Sequence, residues 1–189
     1  MSRTGKRPVA LPKGVTLTVA NGAFEAKGPK GSVKRDLPSG VAISVKDGQV
    51  HVTAEATLDT QSASRLTGTV RSHVNNAVIG VEKGFQRNLK LEGTGYRAEL
   101  KGSTLTMALG LSHPVVFEVP KALSIKIPAE SKNTVLQLET PDKDLLGQSI
   151  AKLQSFRPPE PYKGKGVRIE GVKIRTKAGK AGKGGKGGK

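Results

Sequence analysis

Apolar and polar residues alternate along several short segments of the chain. The clearest alternation is found at residues 15–19, 41–45, 50–53, 123–127 and 135–138. A period of two residues places every second side chain on the same face of a strand, so each segment is predicted to be a strand with one buried face. Asn21-Gly22 and Asp47-Gly48 are suited to the turns between strands, because these dipeptides tolerate positive φ. The pattern therefore predicts antiparallel hairpins.

Two further segments carry apolar residues at steps of three and four, which is the period of an α-helix. The first helix is predicted to open near Asp59 and to stop at Gly80. Its apolar stripe consists of Ala63, Leu66, Val70, Val74, Ala77 and Val78. The second is predicted to open near Pro141, although Gly147 is unfavourable inside a helix. Its stripe consists of Leu145 or Leu146, Ile150 and Leu153.

The same order of strands and then a helix occurs twice. Gly28 and Pro38 are ten residues apart, and so are Gly110 and Pro120. We therefore predict an α+β protein with two tandem similar domains, each a mostly antiparallel sheet covered by one helix, joined near residues 81–85. The predicted domains are residues 1–82 and 83–175, followed by a disordered Lys/Gly-rich tail at residues 176–189.

The charge of the chain is strongly positive and unevenly distributed. The sequence of 189 residues has 32 Lys or Arg and 15 Asp or Glu, which gives a net charge of +17. Residues 156–189 alone have eleven bases and two acids, a net charge of +9. Such an excess is typical of proteins that bind nucleic acid or an anionic surface. For the tail, a solubilising role and a direct binding role both remain open.

Several classes of protein are excluded or disfavoured by composition. The chain has no cysteine, so it has no disulfide framework and no thiol-based zinc site. Its first residues contain no apolar targeting region, and no apolar stretch approaches the roughly 18 residues that a membrane helix needs. We therefore expect a soluble, cytoplasmic protein without a membrane partner.

The sequence offers no group of residues suited to catalysis. His51, His73 and His113 are too widely spaced for a local metal motif, and we interpret them as structural. Asp142 and Asp144 stand at the predicted start of a helix, where carboxylates interact favourably with free N–H groups. We expect no enzymatic activity, no cofactor, no metal and no small-molecule substrate.

The segment at residues 156–169 combines prolines, one aromatic ring and glycine-spaced cations. Pro158, Pro159 and Pro161 favour an extended path that loses little entropy on binding. Gly164 and Gly166 carry no side chains, so the backbone could approach a phosphate and donate N–H groups. A mobile, solvated basic loop is the alternative interpretation. A Walker loop does not fit, because no Ser or Thr follows the lysine of residues 164–167.

Several motifs in order resemble the large-subunit ribosomal protein six family in its bacterial form. The resemblance extends from the N-terminus to about residue 177. It rests on residues 2–8, 11–15, 27–31, 75–76, 83–85, 95–98, 112–115 and, above all, 156–166. Two features depart from the family pattern: Thr4 stands where an aliphatic residue is usual, and the Lys/Gly tail is longer than expected.

The resemblance implies a structural protein of the large ribosomal subunit that binds 23S rRNA directly. The expected position is near the elongation-factor site, the sarcin–ricin region and the stalk base, with neighbouring ribosomal proteins as partners and elongation factors adjacent. The expected rRNA contacts are Arg157, Tyr162, Lys163, Gly164, Lys165, Gly166, Arg168, Lys173, Arg175 and Lys177. Arg3, Lys6, Arg7, Tyr96 and Arg97 are weaker candidates. A general binder of nucleic acids or other polyanions remains the alternative.

Overall fold

The computed structural model describes residues 4–46, 48–55, 59–128, 131, 133–177 and 179. The chain forms two compact units. One contains the chain up to Phe85 together with Thr140–Lys143, and the other contains Gln86–Glu139 and the chain from Asp144 onwards. The sequence pattern did not indicate that Thr140–Lys143 would group with the first unit.

Among the residues that the structure describes in the first unit, six strands form two three-stranded sheets. The strands are β1 (Val9–Ala10), β2 (Thr16–Ala20), β3 (Ala23–Gly28), β4 (Gly31–Asp36), β5 (Val41–Lys46) and β6 (Gln49–Ala54). One sheet has the order β1-β6-β5 and the other β2-β3-β4. Neighbouring strands are antiparallel, with Val45 opposite Val50 and Val19 opposite Phe24. The predicted hairpins at Asn21-Gly22 and around residue 48 are therefore confirmed.

Helix α1 (Thr60–Lys83) packs on the strands of this unit. The Asp59 side chain accepts a hydrogen bond from the amide of Ser62 and so caps the helix, whose predicted start near Asp59 is confirmed. The predicted stop at Gly80 is wrong, because the helix continues to Lys83 and ends where Gly84 adopts a φ of 78°. A single glycine inside a long helix costs only about 1 kcal/mol, which the packing of the helix offsets.

The core of the first unit is aliphatic apart from one phenylalanine. Phe24, Val50 and Val74 are almost completely buried. The buried face of the predicted strands does not extend along their whole length, because Val19 and Val45, next to the turns, are 42% and 44% exposed. Alternation thus predicted the strands but not how far the core covers them.

In the described part of the second unit, seven strands form a three-stranded and a four-stranded sheet. The strands are β7 (Phe85–Glu92), β8 (Arg97–Lys101), β9 (Thr104–Ala108), β10 (Val115–Glu118), β11 (Ser124–Lys126), β12 (Val135–Thr140) and β13 (Gly166–Ile169). The sheets have the orders β10-β9-β8 and β11-β12-β7-β13. Among the described residues, β13 is the last strand of the second unit, and it lies at a sheet edge beside β7, the first strand of that unit.

Helix α2 (Lys143–Phe156) buries the predicted stripe at Leu146, Ile150 and Leu153. It begins two residues after Pro141, and Gly147 is accommodated on its exposed side. The α+β class with two similar halves is confirmed. Each half has its sheet divided into two among the described residues, which the sequence pattern did not predict.

Candidate nucleic-acid interface

Residues 157–166, which we call the basic loop, connect the end of α2 to β13. Two backbone hydrogen bonds close this loop into a compact turn. The Glu160 amide donates to the Lys165 carbonyl at 2.8 Å, and the Gly164 amide donates to the Glu160 carbonyl at 3.0 Å. Hydrogen bonds of its own backbone therefore hold the loop in shape. The alternative interpretation of the sequence was a mobile, solvated loop.

The two glycines of the basic loop have internal structural roles. Gly164 has a φ of 71° and Gly166 a φ of 135°, which are conformations that favour glycine. A Cβ on Gly166 would lie 2.7 Å from the Pro158 carbonyl oxygen. Both glycines are buried, and the Gly164 amide is already bonded to Glu160. The expectation that the Gly164 N–H is free for a phosphate is therefore wrong.

Strand β13 anchors the C-terminal end of the basic loop in the sheet. Val167 is completely buried opposite Leu91 of β7, and its amide donates to the Arg157 carbonyl at 2.9 Å. One buried side chain and one hydrogen bond thus join the two ends of the loop to the core. Arg157 and Lys165, which lie beside these anchors, keep exposed side chains.

The Arg168 side chain forms an ion pair with Glu92 across β13 and β7, and Lys90 forms a second ion pair with Glu92 at 3.1 Å. Lys90 and then Arg168 hold the pKa of the Glu92 carboxyl below its usual value, because both cations stabilise the carboxylate. Lys90 and Glu92 were not among the predicted site residues. The alternation of polar residues 88, 90 and 92 with Leu89 and Leu91 could have indicated them.

A second basic segment, residues 170–177, returns to the basic loop. The Glu170 amide donates to the Asn88 carbonyl at 3.0 Å, and the Asn88 side-chain amide donates to the Glu170 carboxylate at 2.7 Å. At the other end, the Lys177 amide donates to the Pro161 carbonyl at 2.8 Å. We call residues 170–177 the return segment, and it is tied at both ends to the second unit.

The hydrogen bond between Lys177 and Pro161 ties the end of the return segment to the basic loop on the second unit. Tyr162 is 56% exposed, an unusual degree for an aromatic ring. Lys163 and Lys165 are exposed cations next to it in sequence, and the return segment carries three more: Lys173, Arg175 and Lys177. Such a group of cations with one exposed ring can bind phosphates and stack on a base.

The weaker candidates in the second unit differ from each other in exposure. Tyr96 is only 8% exposed, and its ring covers Gly93, where an added Cβ would lie 2.7 Å from the ring atoms. Tyr96 therefore has a packing role, and its placement among the weaker rRNA contacts stays a prediction. Arg97, the first residue of β8, is exposed.

The remaining weaker candidates lie near the N-terminus. Lys6 and Arg7 are exposed in the first unit, where the turn at residues 4–7 packs on α1 through Gly5. Arg3 lies outside the described residues, and so does most of the predicted disordered tail.

The described part of the chain has neither a metal-binding cluster nor a membrane-spanning helix. It contains no cluster of three His, Asp or Glu side chains that could hold a metal ion. No helix in it combines the length and the apolar character needed to cross a membrane. Asp142, whose carboxylate was expected only to serve a helix start, pairs with Arg35 at 2.7 Å in the first unit.

Comparison with known proteins identifies the family of this chain. The model of the family described as "Ribosomal protein L6" matches residues 11–84 and again residues 92–179. This chain belongs to the ribosomal protein L6 family. The two matched segments follow the internal duplication predicted from the order of strands and helices. Membership of the L6 family makes the chain a structural protein and not an enzyme.

Individual L6 relatives cover almost the whole chain. A protein of Koribacter versatilis named "Large ribosomal subunit protein uL6" is 46% identical over 181 residues, which are 95% of this chain and 98% of the relative. The protein of the same name from Xanthomonas axonopodis pv. citri is 47% identical over 182 residues, which are 95% of this chain and 99% of the relative.

Proposed function

We propose that this L6 protein is a structural component of the large ribosomal subunit that binds 23S rRNA directly. The observation that carries the proposal is the hydrogen bond between Lys177 and Pro161, which joins two basic segments into one exposed group on the second unit. Cations held by a fixed backbone bind phosphates with little loss of conformational entropy.

The side chains of this group have different proposed roles. Arg157, Lys163 and Lys165 neutralise phosphates, and Tyr162 stacks on a base or donates a hydrogen bond. Gly164 and Gly166 contribute by shaping the loop. Arg168 holds the loop against β7 through Glu92 and presents its remaining exposed surface to RNA. Lys173, Arg175 and Lys177 extend the phosphate contacts along the return segment.

The weaker contacts and the position on the ribosome are also proposals. Arg97 would contribute from the second unit, and Arg3, Lys6 and Arg7 from the first. The family resemblance supports a position near the elongation-factor site, the sarcin–ricin region and the stalk base. Neighbouring ribosomal proteins would be partners there, with elongation factors adjacent, on ribosomes in the cytoplasm.

The double match of the family model supports two domains as the architecture of this binding protein. We propose boundaries at residues 1–82 and 83–175, with residues 176–189 as a basic tail. The second domain would supply the main rRNA contacts, because the basic loop and residues 170–175 of the return segment belong to it.

If the basic loop contacts phosphates, two lysine variants should show weaker rRNA binding that also depends less on salt concentration. Lys163→Ala and Lys165→Ala should each weaken binding to deproteinised bacterial large-subunit rRNA. Each should reduce the slope of log affinity against log salt by about 0.7–0.9, because one phosphate contact is lost. Filter binding at several salt concentrations measures both quantities. Lys121→Ala is the matched control, because Lys121 is an exposed lysine of the second unit outside the basic loop.

If the slope of log affinity against log salt were equal for all three variants and the wild type, the basic loop would not be part of the rRNA interface. Membership of the subunit is tested separately by sedimentation of the tagged protein from lysate after a high-salt wash. Migration with the large subunit is expected. Spread across every RNA-containing fraction would favour the general polyanion binder.

A further inference from the structure

The exposed side of α1 in the first unit has an unusual composition for a helix in water. The helix contains Arg65, Arg71, His73 and Lys83, and its only acidic residue is Glu82 in the last turn. Exposed helix faces normally mix both signs of charge, because Glu and Lys four residues apart stabilise the helix. Apart from the exposed Ile79, the face up to that residue carries mainly hydroxyl, amide and cationic groups, several of which are poor helix formers.

These groups line an open groove of about 610 Å³. Its lining residues on the helix include Ser64, Arg65, Gly68, Ser72, His73 and Asn76, and none of the lining residues is acidic. From residue 64 to residue 76 the groove follows the helix for about 18 Å, at 1.5 Å per residue. We call this feature the α1 groove.

The N-terminal turn is fixed beside the α1 groove. A Cβ on Gly5 would lie 2.8 Å from the Thr67 hydroxyl oxygen, so the turn touches the helix directly. The Arg71 side chain donates to the Arg7 carbonyl at 3.3 Å and holds the end of the turn. Lys6 and Arg7 therefore add two exposed cations at a defined position.

Polar groups in the groove keep hydrogen-bonding capacity for a ligand. Within the described part of the chain, the Arg65 and Asn76 side chains make no hydrogen bond or ion pair. The Ser72 hydroxyl donates to the Gly68 carbonyl at 2.9 Å, which leaves its oxygen free to accept. At the other end of the groove, His73 is held 3.2 Å from the Arg35 guanidinium.

We propose that the α1 groove is a second RNA-binding surface, which takes a sugar–phosphate backbone of the rRNA. Arginine, hydroxyl and amide side chains make most of the contacts that proteins form with sugars and phosphates. The positive charge of Lys6, Arg7 and Arg65 complements phosphates, and the small side chains between them permit close approach. This inference rests on the proposed rRNA-binding function, and it makes the first unit a direct contributor to that function.

Two variants of the full chain test the α1 groove. Arg65→Ala should lower the affinity for deproteinised bacterial large-subunit rRNA by up to roughly fivefold, as for one exposed charge pair. It should also reduce the log–log salt slope by about 0.7–0.9. Ser72→Glu should lower affinity roughly tenfold or more, because it places a carboxylate against phosphates while glutamate remains a good helix former.

Matched controls separate a local effect from a change in net charge. Lys46→Ala changes the charge as Arg65→Ala does, and Ser32→Glu changes it as Ser72→Glu does, at exposed positions on β5 and β4. Circular dichroism verifies that each variant is folded. Variants that match their controls in affinity and slope would overturn the proposal. So would normal binding to naked rRNA combined with loss of the variant from assembled subunits, which would indicate an acidic protein as the occupant.

Tethered cleavage provides a readout that does not depend on affinity. The chain has no cysteine, so Ser72→Cys gives a single attachment site for an iron chelate that generates hydroxyl radicals. Cleavage of rRNA from Ser72 should exceed that from Thr53→Cys, because Thr53 lies on the opposite face of β6 from the buried Val52. Equal or weaker cleavage from Ser72 would overturn the proposal.

The two proposed surfaces fail independently. If the basic loop alone binds RNA, Lys165→Ala is weakened and Arg65→Ala equals its control. If the α1 groove alone binds RNA, Arg65→Ala binds more weakly than its control and Lys165→Ala binds as the wild type does. In the double variant that combines Lys165→Ala and Arg65→Ala, we expect the salt slope to fall by the sum of the two single reductions, because the two surfaces share no residue.

Discussion

Two helical glycines, Gly80 and Gly147, have opposite surroundings. Gly147 lies on the exposed side of α2, and a Cβ there would meet no atom within 4 Å. A Cβ on Gly80 of α1 would lie 1.9 Å from the Pro141 carbonyl oxygen. The same residue type is therefore dispensable at one position and required at the other.

Gly147→Ala should stabilise the protein by about 0.5–1 kcal/mol, because alanine loses less backbone entropy in a helix. Gly80→Ala should destabilise it by about 3 kcal/mol or more, because backbone must move to admit the methyl group. Urea denaturation of both variants measures the two free energies of unfolding. Similar values for the two would contradict the packing assigned to Gly80.

Glu92 links the stability of the second unit to pH. Its carboxyl pKa is below the usual value of 4.5 because of Lys90 and Arg168, so the folded state favours the carboxylate. The resulting stability is present above pH 4.5 and is lost as pH falls through the lower pKa of the folded state.

Glu92→Gln should therefore be less stable than the wild type at neutral pH, and the difference should shrink at about pH 3. Denaturation at both pH values measures the change. Glu118→Gln is the control, because Glu118 is exposed on β10 and its side chain makes no hydrogen bond or ion pair within the described residues. A difference that does not depend on pH would argue against the ion pairs of Glu92.

At the scale of elements, strand β13 determines the shape of the basic loop. Gly166→Ala should lower stability by about 2 kcal/mol, because its Cβ would lie 2.7 Å from the Pro158 carbonyl. The displaced loop should also bind rRNA more weakly. Gly164→Ala should have the smaller effect, because its Cβ would meet only the flexible end of Arg168 at 3.3 Å. Denaturation and filter binding measure both variants, and the reverse order would contradict this account.

Elements with a long, regular pattern were predictable from the sequence, and elements without one were not. The stripe of α1 is sustained over several turns, so its start and its buried face were predicted from residues near in sequence. The prediction that it ends at Gly80 was wrong. This glycine is required because the backbone of Pro141 packs against the helix there, and not because the helix stops. Strand β13 was not predicted, because its partner β7 lies far away in sequence.

At the scale of the whole molecule, charge and shape make separate contributions to RNA binding. Truncation after Lys177 removes four lysines, at positions 180, 183, 186 and 189. We expect unchanged stability and a reduced salt slope, because these residues contribute charge only. The preference for large-subunit rRNA over tRNA should persist, since the ordered surfaces select RNA by shape. Competition binding measures this preference, and its loss would assign selectivity to the tail.

The sequence by itself determined the α+β class, the duplication, the family and the basic segments that we propose as the interface. These properties follow from period, charge and local motifs, which are all readable along the chain. Only the tertiary structure decided how exposed each candidate residue is and which partners it has within the protein. It buried Tyr96, paired Arg168 with Glu92 and bonded the Gly164 amide internally. It also placed the N-terminal turn beside α1, which created the proposed second surface. Such outcomes depend on residues distant in sequence, so no local pattern could predict them.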